Sequence, residues 1–288
     1  MLELDAWLEI AKSAALLGGK YLLKHQGKKL KILLNQGRDL KLQLDIDTED
    51  LIKNSLSSQS AFSILGEETG FSEDVGEFYW VVDPLDGTSN FLRDIPISCV
   101  SIGLMHKLNP VLGVIYDFNH DDLYCGHQNA SAFLNQEEIK VSDCNLKTDS
   151  TLATGIPAKT HYSDGEFKSM ITDFQEWKKI RMIGSAAMAG VYVAAGKVDA
   201  YKENGIFLWD VAAAAAIVSA AGGSVRSTNF RNSAPPPMMS LHADTDHLDT
   251  RLAGKRQRGT PTGETPSQRN RKFSSSFSDA SSSSSTDE

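Results

Sequence analysis

Apolar residues recur at helical spacing over the start of the chain and at β-like spacing through its middle. Residues 2–25 carry apolar side chains three or four positions apart, which predicts an amphipathic helix. Further helices are predicted near 48–57, 185–195 and 211–221, and residues 28–44 read as a strand or irregular segment. Short β-like runs lie at 62–65, 79–82, 99–105, 111–116, 141–152 and 180–183. Strands interleaved with helices predict a mixed α/β fold with layered sheets.

The pattern changes after Gly222 and Gly223. Residues 235–237 are all proline, and the sequence beyond them is polar, then basic, then rich in serine. Nothing after Arg226 predicts a further strand, and so little apolar surface cannot offset the entropy cost of ordering a chain. We therefore predict a folded domain over residues 1–233 and a low-complexity, disordered tail over residues 234–288.

Charge and composition narrow the functional classes. The chain is 41% hydrophobic and 23% charged, which is typical of a soluble domain with a sizeable core. Its net charge is −8, with −11 over residues 1–250 and +3 over residues 251–288. An acidic body argues against a general nucleic-acid partner, whereas it is compatible with a protein that binds cations.

The cysteines and the N-terminus bear on location. Cys99, Cys125 and Cys144 are far apart and form no CxxC pair, so neither a disulfide framework nor a zinc site is predicted. The first residues are acidic rather than basic, and no apolar run approaches the length of a membrane span. The sequence therefore predicts a cytoplasmic protein with no membrane partner.

Three acidic segments are the candidates for chemistry. Glu67 and Glu68 follow a β-like run, Asp83 and Asp86 follow another, and Asp210 opens an alanine-rich helix. Each segment alone has an ordinary explanation: a solvated loop, a surface turn and a helix N-cap. Together they supply acidic oxygen ligands from the ends of regular elements, and this joint arrangement favours a metal site.

The segment after Tyr79 joins metal-binding and phosphate-binding features. Asp83 ends a buried run, and Pro84 is expected to stop the strand because it lacks an N–H group. Asp86 then points out of the same turn, and residues 88–90 offer hydroxyl and N–H groups at a helix start, which suits a phosphate. Carboxylates beside a phosphate repel it unless a hard cation lies between them, so Mg²⁺ is the predicted cofactor.

These segments resemble those of the inositol monophosphatase family, which comprises Mg²⁺-dependent, lithium-sensitive phosphatases. The residues that carry the resemblance are Gly66-Glu67-Glu68, Asp83-Pro84-Leu85-Asp86-Gly87-Thr88-Ser89-Asn90-Phe91 and Trp209-Asp210-Val211-Ala212. The resemblance implies a layered α/β/α/β/α sandwich and a homodimer. It also implies hydrolysis of a small phosphorylated polyol or sugar by metal-activated water.

The resemblance assigns the metal ligands and the catalytic residues. Glu67, Asp83 and the Leu85 carbonyl would hold one Mg²⁺, and Asp83, Asp86 and Asp210 a second, with Glu67 supporting a weaker third through water. Asp45 and Thr88 would orient or deprotonate the attacking water, and Glu67 is counted with them as catalytic. Residues 40–44, ahead of Asp45, are largely aliphatic where the family carries a threonine-bearing stretch.

The resemblance also assigns the substrate contacts. Gly87, Thr88 and Ser89 would receive the phosphate. The turn of Gly184, Ser185 and Ala186 would contact the sugar, Glu203 would accept a substrate hydroxyl, and Asp210 would contact the substrate as well as the metal.

Asn90 bears on the choice of substrate. The form Asp86-Gly87-Thr88-Ser89-Asn90-Phe91 is similar to that of inositol and related sugar phosphatases, which makes myo-inositol 1-phosphate the expected substrate. Related phosphatases act on 3′-phosphoadenosine 5′-phosphate, histidinol phosphate or fructose 1,6-bisphosphate, and these stay as alternatives. A different class is an inactive metal-binding scaffold or regulator.

Overall fold

The computed structural model describes residues 3–36, 39–71, 76–156, 161–227 and 238–242. The helices in these ranges are α1 (Leu4–Leu23), α2 (Gln43–Ser57), α3 (Thr88–Phe91), α4 (Asp164–Phe174), α5 (Ala186–Ala194) and α6 (Leu208–Ala220). The strands are β1 (Ile32–Gln36), β2 (Asp39–Leu42), β3 (Ser63–Gly66), β4 (Gly70–Phe71), β5 (Phe78–Asp86), β6 (Cys99–His106), β7 (Asn109–Asp117), β8 (Asp122–His127), β9 (Ala132–Leu134), β10 (Glu137–Ile139), β11 (Thr151–Thr154), β12 (Lys179–Met182), β13 (Ala200–Asn204), β14 (Ser224–Ser227) and β15 (Met238–His242).

The strands form two main sheets and one small one. The larger sheet has eight strands in the order β10-β9-β8-β7-β6-β5-β3-β4, and it is antiparallel except where β3 pairs with β5. The second sheet has five strands in the order β12-β11-β13-β15-β14, with β11 parallel to both β12 and β13. β1 and β2 form a separate antiparallel pair.

Helices α1 and α2 cover one face of the larger sheet. Leu4, Leu8 and Ala11 of α1 lie one turn or so apart and are buried with Ile52 of α2. They pack on alternate residues of the central strands, such as Val82 of β5, because side chains along a strand point to opposite faces in turn. The amphipathic pattern of residues 2–25 therefore becomes one outer layer.

Helices α5 and α6 cover the other face of the larger sheet and separate it from the second sheet. Met188 of α5 and Ile217 of α6 are fully buried with Ile115 of β7. On the far side of the second sheet, Phe174 of α4 packs with the buried Leu152 of β11. The order of layers is helix, sheet, helix, sheet, helix, so the predicted α/β/α/β/α sandwich is confirmed.

The alanines of α6 let this helix approach the larger sheet closely. Gly113 of β7 lies so near the Ala213 backbone that an added Cβ would meet the Ala213 carbonyl oxygen. Small side chains on both surfaces hold the helix against the sheet, which fixes the position of its first turn and of Asp210 within it.

Two sequence-based expectations for the elements are wrong. Residues 141–150 contain no strand but an irregular segment with one short 3₁₀ turn, and only the end of the predicted run lies in β11. Helix α2 begins at Gln43 rather than near residue 48, because the Asp45 carboxylate accepts a hydrogen bond from the Leu42 N–H and so closes the first turn earlier.

The C-terminal expectation also needs correction. β15 pairs antiparallel with both β13 and β14, so two strands, β14 and β15, follow the Gly222-Gly223 pair. Residues 238–242 were assigned to the disordered tail because their surroundings are polar and proline-rich. The remainder of the proposed tail lies outside the described residues, and the domain boundary at residue 233 stays a prediction. In the described part of the chain, no helix is both long and apolar enough to cross a bilayer.

Candidate active site

A bulge in β5 turns two carboxylates toward the same face of the sheet. Asp83 pairs with Ser101 of β6 and Asp86 pairs with Cys99, so β5 carries one extra residue between these pairs. Residues three apart on a regular strand point to opposite faces, and the extra residue reverses the second one. The strand was expected to stop at Pro84, but it continues through Asp86, with the proline inside the bulge.

Asp83 lies at the centre of a group of four carboxylates. It is buried, and its side chain contacts that of Glu67. Glu67 directly follows β3, and its backbone N–H donates to the Val82 carbonyl of β5. Burial raises the pKa of Asp83 well above its usual range, and Glu67, Asp86 and Asp210 raise it further. Two carboxyl groups in such close contact repel each other when both are ionised, so a proton or a cation between them is favoured.

Glu67 responds to the same surroundings. Burial raises the pKa of Glu67 to about 8, and the next largest cause is the neighbouring carboxylate of Glu68. Asp45 and Asp86 add to this effect. Several negative charges are therefore held close together in a site that water reaches poorly, which is unfavourable unless a proton or a cation neutralises them.

Asp86 is held by the turn that begins α5. Its Oδ2 accepts hydrogen bonds from the Ser185 hydroxyl and, at 2.7 Å, from the Ala187 N–H. Burial raises the pKa of Asp86, whereas Ser185 and the N–H groups of Ala187, Ala186 and Gly87 lower it. Two members of the predicted sugar-binding turn, Ser185 and Ala186, thus contact Asp86.

The predicted phosphate-binding segment starts α3 directly after β5. Gly87 has a φ of +90°, and a Cβ there would lie 2.8 Å from the Ile97 carbonyl oxygen, so a side chain is excluded by both conformation and space. The Thr88 hydroxyl donates to the Leu85 carbonyl at 3.0 Å, while Ser89 is exposed. The first N–H groups of a helix have no partner within it, and here they lie beside the carboxylate group.

Asn90 joins this segment to the turn before α5. Its amide Nδ2 donates to the carbonyl oxygens of Ile97 at 2.8 Å and of Ile183 at 3.0 Å. Ile183 precedes Gly184, the first residue of the predicted sugar-binding turn. Asn90 therefore fixes the distance between the two proposed contact regions, a role that its place in the motif did not indicate.

Asp210 comes from the first turn of α6. It is the third residue of the helix rather than its N-cap, and its Oδ2 accepts a hydrogen bond from the Phe207 N–H at 2.7 Å. Burial raises the pKa of Asp210 well above its usual range, and Glu67 and Asp86 raise it further. The Asp210 carboxylate therefore both stabilises the first turn of α6 and lies near Asp83.

Asp45 has a similar local setting in α2. Its Oδ2 accepts from the Leu42 N–H at 2.9 Å, while its Oδ1 is buried with no hydrogen-bond partner. Burial raises the pKa of Asp45 to about 7; the Leu42 N–H lowers it, and Glu68 raises it. A buried carboxylate oxygen without a partner is costly, and a bound water or hydrated cation would satisfy it.

Glu203 faces a separate cavity at the second sheet. A space of about 290 Å³ lies between α4 and this sheet, with Thr154, Gly155 and Glu203 among its lining residues. The Tyr201 hydroxyl donates to Glu203 Oε2 at 2.9 Å. Burial raises the pKa of Glu203 to about 7, Tyr201 lowers it, and Asp86 raises it, so Glu203 is within electrostatic reach of the carboxylate group.

The residues present suit a hard divalent cation. Glu67, Asp83, Asp86 and Asp210 converge from β3, β5 and α6, and Asp45 adds an unpartnered buried oxygen. Among the described residues, no three acidic, histidine or cysteine side chains lie close enough together to form a complete metal site as they stand. Carboxylate oxygens are the ligands that Mg²⁺ prefers, and binding of a cation would compete with protonation of these groups.

One supporting residue was missed from the sequence. Glu49 of α2 is fully buried, and its Oε2 accepts from the Glu68 N–H at 2.8 Å, while its Oε1 accepts from the N–H and hydroxyl of Thr69. It therefore holds the turn that carries Glu67. The available signal was its position four residues after Asp45, which places both on one helix face.

Replacing Glu49 by glutamine is expected to lower the melting temperature and to weaken metal binding. A glutamine has one acceptor oxygen, so at least one part-buried donor of the turn loses its partner, at a cost of about 1 kcal/mol. Thermal unfolding with and without Mg²⁺ measures both effects. The control is Asp50→Asn on the exposed side of the same helix, and equal behaviour of the two variants would contradict this role for Glu49.

Comparison with known proteins gives a consistent set of relatives. The model of the inositol monophosphatase family matches residues 3–260. An inositol-1-monophosphatase of Mesorhizobium japonicum is 34% identical over 229 residues, covering 77% of this chain and 85% of that protein. A protein named Nus factor SuhB from Xylella fastidiosa is 35% identical over 235 residues, covering 80% of this chain and 84% of its own length.

A solved structure agrees with the fold. The inositol monophosphatase from Anabaena (Nostoc) sp. PCC 7120 superposes with a TM-score of 0.73 at 32% sequence identity. The match covers 83% of this chain and 92% of that one.

Proposed function

The chain belongs to the inositol monophosphatase family, a group of metal-dependent phosphatases, and from this premise we propose that its substrate is myo-inositol 1-phosphate and its metal Mg²⁺. Its enzyme class is phosphoric monoester hydrolase. The observation that carries the proposal is the convergence of Glu67, Asp83, Asp86 and Asp210 beside the start of α3.

The carboxylates and one carbonyl would hold the metal. Glu67, Asp83, Asp86 and Asp210 would supply the charged oxygens, and the carbonyl of Leu85, which lies between Asp83 and Asp86 in the β5 bulge, would supply a neutral one. When bound, Mg²⁺ neutralises the charge of the phosphate and lowers the pKa of water, which makes hydroxide available near neutral pH.

The attacking water would be oriented by this chain's own acceptors. Asp45 offers the unpartnered Oδ1, and the Thr88 hydroxyl can accept a hydrogen bond from water while it donates to the Leu85 carbonyl. With Glu67 beside them, these groups can hold the water in line with the phosphorus and take up its proton.

The substrate would be held on both sides of the scissile bond. N–H groups of Gly87, Thr88 and Ser89 would receive the phosphate at the start of α3. The contacts proposed for the polyol come from Gly184, Ser185, Ala186, Glu203 and Asp210. Since Asn90 ties these two regions together, the distance between phosphate and ring contacts is fixed before the substrate binds.

The direct test is phosphate release from a panel of substrates. The panel holds myo-inositol 1-phosphate, histidinol phosphate, fructose 1,6-bisphosphate and 3′-phosphoadenosine 5′-phosphate, each with Mg²⁺, without it, and with added lithium. We expect Mg²⁺-dependent, lithium-inhibited release with the inositol ester preferred. Preference for another ester would replace the substrate, and no release from a folded, Mg²⁺-binding sample would favour the scaffold function.

Glu203→Gln is expected to impair selection of the polyol rather than the hydrolysis itself. A neutral amide accepts a substrate hydroxyl more weakly than a carboxylate does, and we expect about a tenfold or larger fall in kcat/KM for the inositol ester. A phosphate ester without ring hydroxyls should lose less than about twofold, because it makes no such contact.

The control for this variant is Glu166→Gln, which alters another carboxylate of the same cavity. This control variant should leave kcat/KM unchanged for both phosphate esters. Equal losses on the two esters in Glu203→Gln would argue against a substrate-selecting role.

Further expectations concern assembly and location. We propose a homodimer that acts in the cytoplasm, without a nucleic-acid or membrane partner. Support comes from the family resemblance for the dimer and from the acidic charge of residues 1–250 for the lack of a nucleic-acid partner. Sedimentation of the purified chain tests the first, and a binding assay with RNA tests the second.

A further inference from the structure

A lysine lies at the rim of the carboxylate group. Lys41 of β2 forms an ion pair with Glu68, with Nζ 2.9 Å from Oε2. The Glu68 side chain is 4% exposed and that of Lys41 is 32% exposed, so solvent screens this pair less than a surface pair. The largely aliphatic residues 40–44 ahead of Asp45 thus include one lysine, which brings a positive charge to an acidic site.

The charge of Lys41 acts beyond its ion-pair partner. Lys41 lowers the pKa of Asp45, whereas Glu68 raises it. Glu68 also raises the pKa of Glu67. The ammonium group is therefore within electrostatic reach of Asp45 and, through Glu68, borders the four carboxylates that would hold the metal.

Both partners of the ion pair are held in place by other contacts. Lys41 pairs with Leu34 in the β1–β2 ladder, and α2 begins directly after β2. The backbone of Glu68 is fixed by its N–H bond to the buried Glu49. With both backbones fixed, the ion pair with the nearly buried Glu68 carboxylate holds the ammonium group at the rim of the site.

We propose that Lys41 is a positioning residue whose ammonium group occupies the Asp45–Glu68 side of the site as a tethered cation and weakens divalent cation binding there. The inference rests on the proposed metal site. A fixed positive charge repels a divalent ion, and the ion pair leaves Glu68 unavailable as a free carboxylate. We expect these two effects together to reduce the affinity for Mg²⁺ on that side by about fivefold or more.

The test is calorimetric titration of the metal-free protein with MgCl₂, which needs no turnover. Lys41→Met is expected to bind Mg²⁺ at least about fivefold more tightly at its weakest resolved step, or to bind one more ion. Lys41→Arg keeps the charge and should match the unchanged protein. Mn²⁺ titration followed by electron paramagnetic resonance counts the bound ions independently.

Lys53→Met is the matched control. Lys53 reaches the same turn, but its Nζ donates to the Thr69 hydroxyl at 2.8 Å and the bond is exposed. The Lys53→Met variant therefore loses a positive charge near the same turn, but no carboxylate of the site loses its ion-pair partner. Its Mg²⁺ affinity should change less than about twofold.

A second pair of variants keeps the inference testable if Lys41→Met folds poorly. Glu68→Gln leaves Lys41 in place and should weaken Mg²⁺ binding by about fivefold, while the double change Lys41→Met with Glu68→Gln should return the affinity to near that of the unchanged protein. Unaltered affinity in Lys41→Met, or in Glu68→Gln, would overturn the proposal. Calorimetric shifts as expected in a protein that releases no phosphate would instead overturn only the proposed function.

Discussion

Asp83→Asn is expected to abolish phosphate release, with a loss of about three orders of magnitude or more in kcat, without unfolding the protein. Asp83 is buried, and its charge is the one that Glu67, Asp86 and Asp210 all surround. Asparagine has nearly the same shape and can still accept the Leu85 N–H bond that Asp83 Oδ1 receives at 3.0 Å. The change therefore removes a negative charge from the metal site and little else.

The same substitution should stabilise the metal-free protein. At a pH above about 8, where Glu67 and Asp83 would both be ionised, the variant lacks one of two neighbouring like charges, so the melting temperature in EDTA is expected to rise while the increase on adding Mg²⁺ shrinks. Phosphate release and thermal unfolding, each with and without Mg²⁺, measure both effects.

The control for Asp83→Asn is Asp117→Asn. Asp117 is also a buried aspartate at a strand end, but its carboxylate caps the Asn119 N–H and bonds with His120 in the β7–β8 turn. This control variant should keep its activity to within about fivefold even if its melting temperature falls. Retained activity in Asp83→Asn would remove Asp83 from the metal site.

The layered fold and the three acidic segments could be predicted from the sequence, because both depend on local patterns of residues. Residues 2–25 and 211–221 show their buried faces in the spacing of apolar side chains, and α1 and α6 lie there. Glu67, Asp83 and Asp210 each adjoin a regular element, and the structure brings these three together. Elements whose ends meet at one edge of a layered fold place such residues side by side.

The contacts that support the site could not be predicted in this way. Glu49 reaches Thr69 across 20 positions of sequence, and Lys41 reaches Glu68 across 27. No periodicity encodes such pairs, since they depend on how α2 and β2 pack beside the end of β3. The bulge at Pro84 was missed for a related reason: a proline reads as a strand end unless the partner strand is known.

The pairing of β15 was missed because its sequence is short and follows prolines. Its neighbours β13 and β14 supply the hydrogen-bond partners, and a strand of this kind owes its structure to the sheet that it joins rather than to its own composition. Local polarity therefore underestimates how far toward the C-terminus the second sheet extends.

The metal-free protein is expected to lose stability steeply as pH rises from about 5 to 8.5, with a fall in melting temperature of about 10 °C or more. Burial raises the pKa of Glu67 from 4.5 to about 8, and burial also raises the pKa values of Asp45 and Glu203 to about 7. A native state with raised carboxyl pKa values binds protons more tightly than the unfolded chain. Its advantage is complete below the unfolded values and is lost as pH rises through the folded ones.

Mg²⁺ should reverse this loss, and more strongly at pH 8.5 than at pH 5. A cation binds the ionised carboxylates and competes with the protons that otherwise neutralise them, so the gain in melting temperature grows as Glu67 and Asp83 ionise. Asp83→Asn should flatten both pH profiles, because it removes one of the carboxyl groups whose raised pKa produces the slope. Melting curves of EDTA-treated protein across this pH range decide the matter: a melting temperature that stays level or rises toward pH 8.5 would mean that these carboxylates are already neutralised by something other than protons or metal.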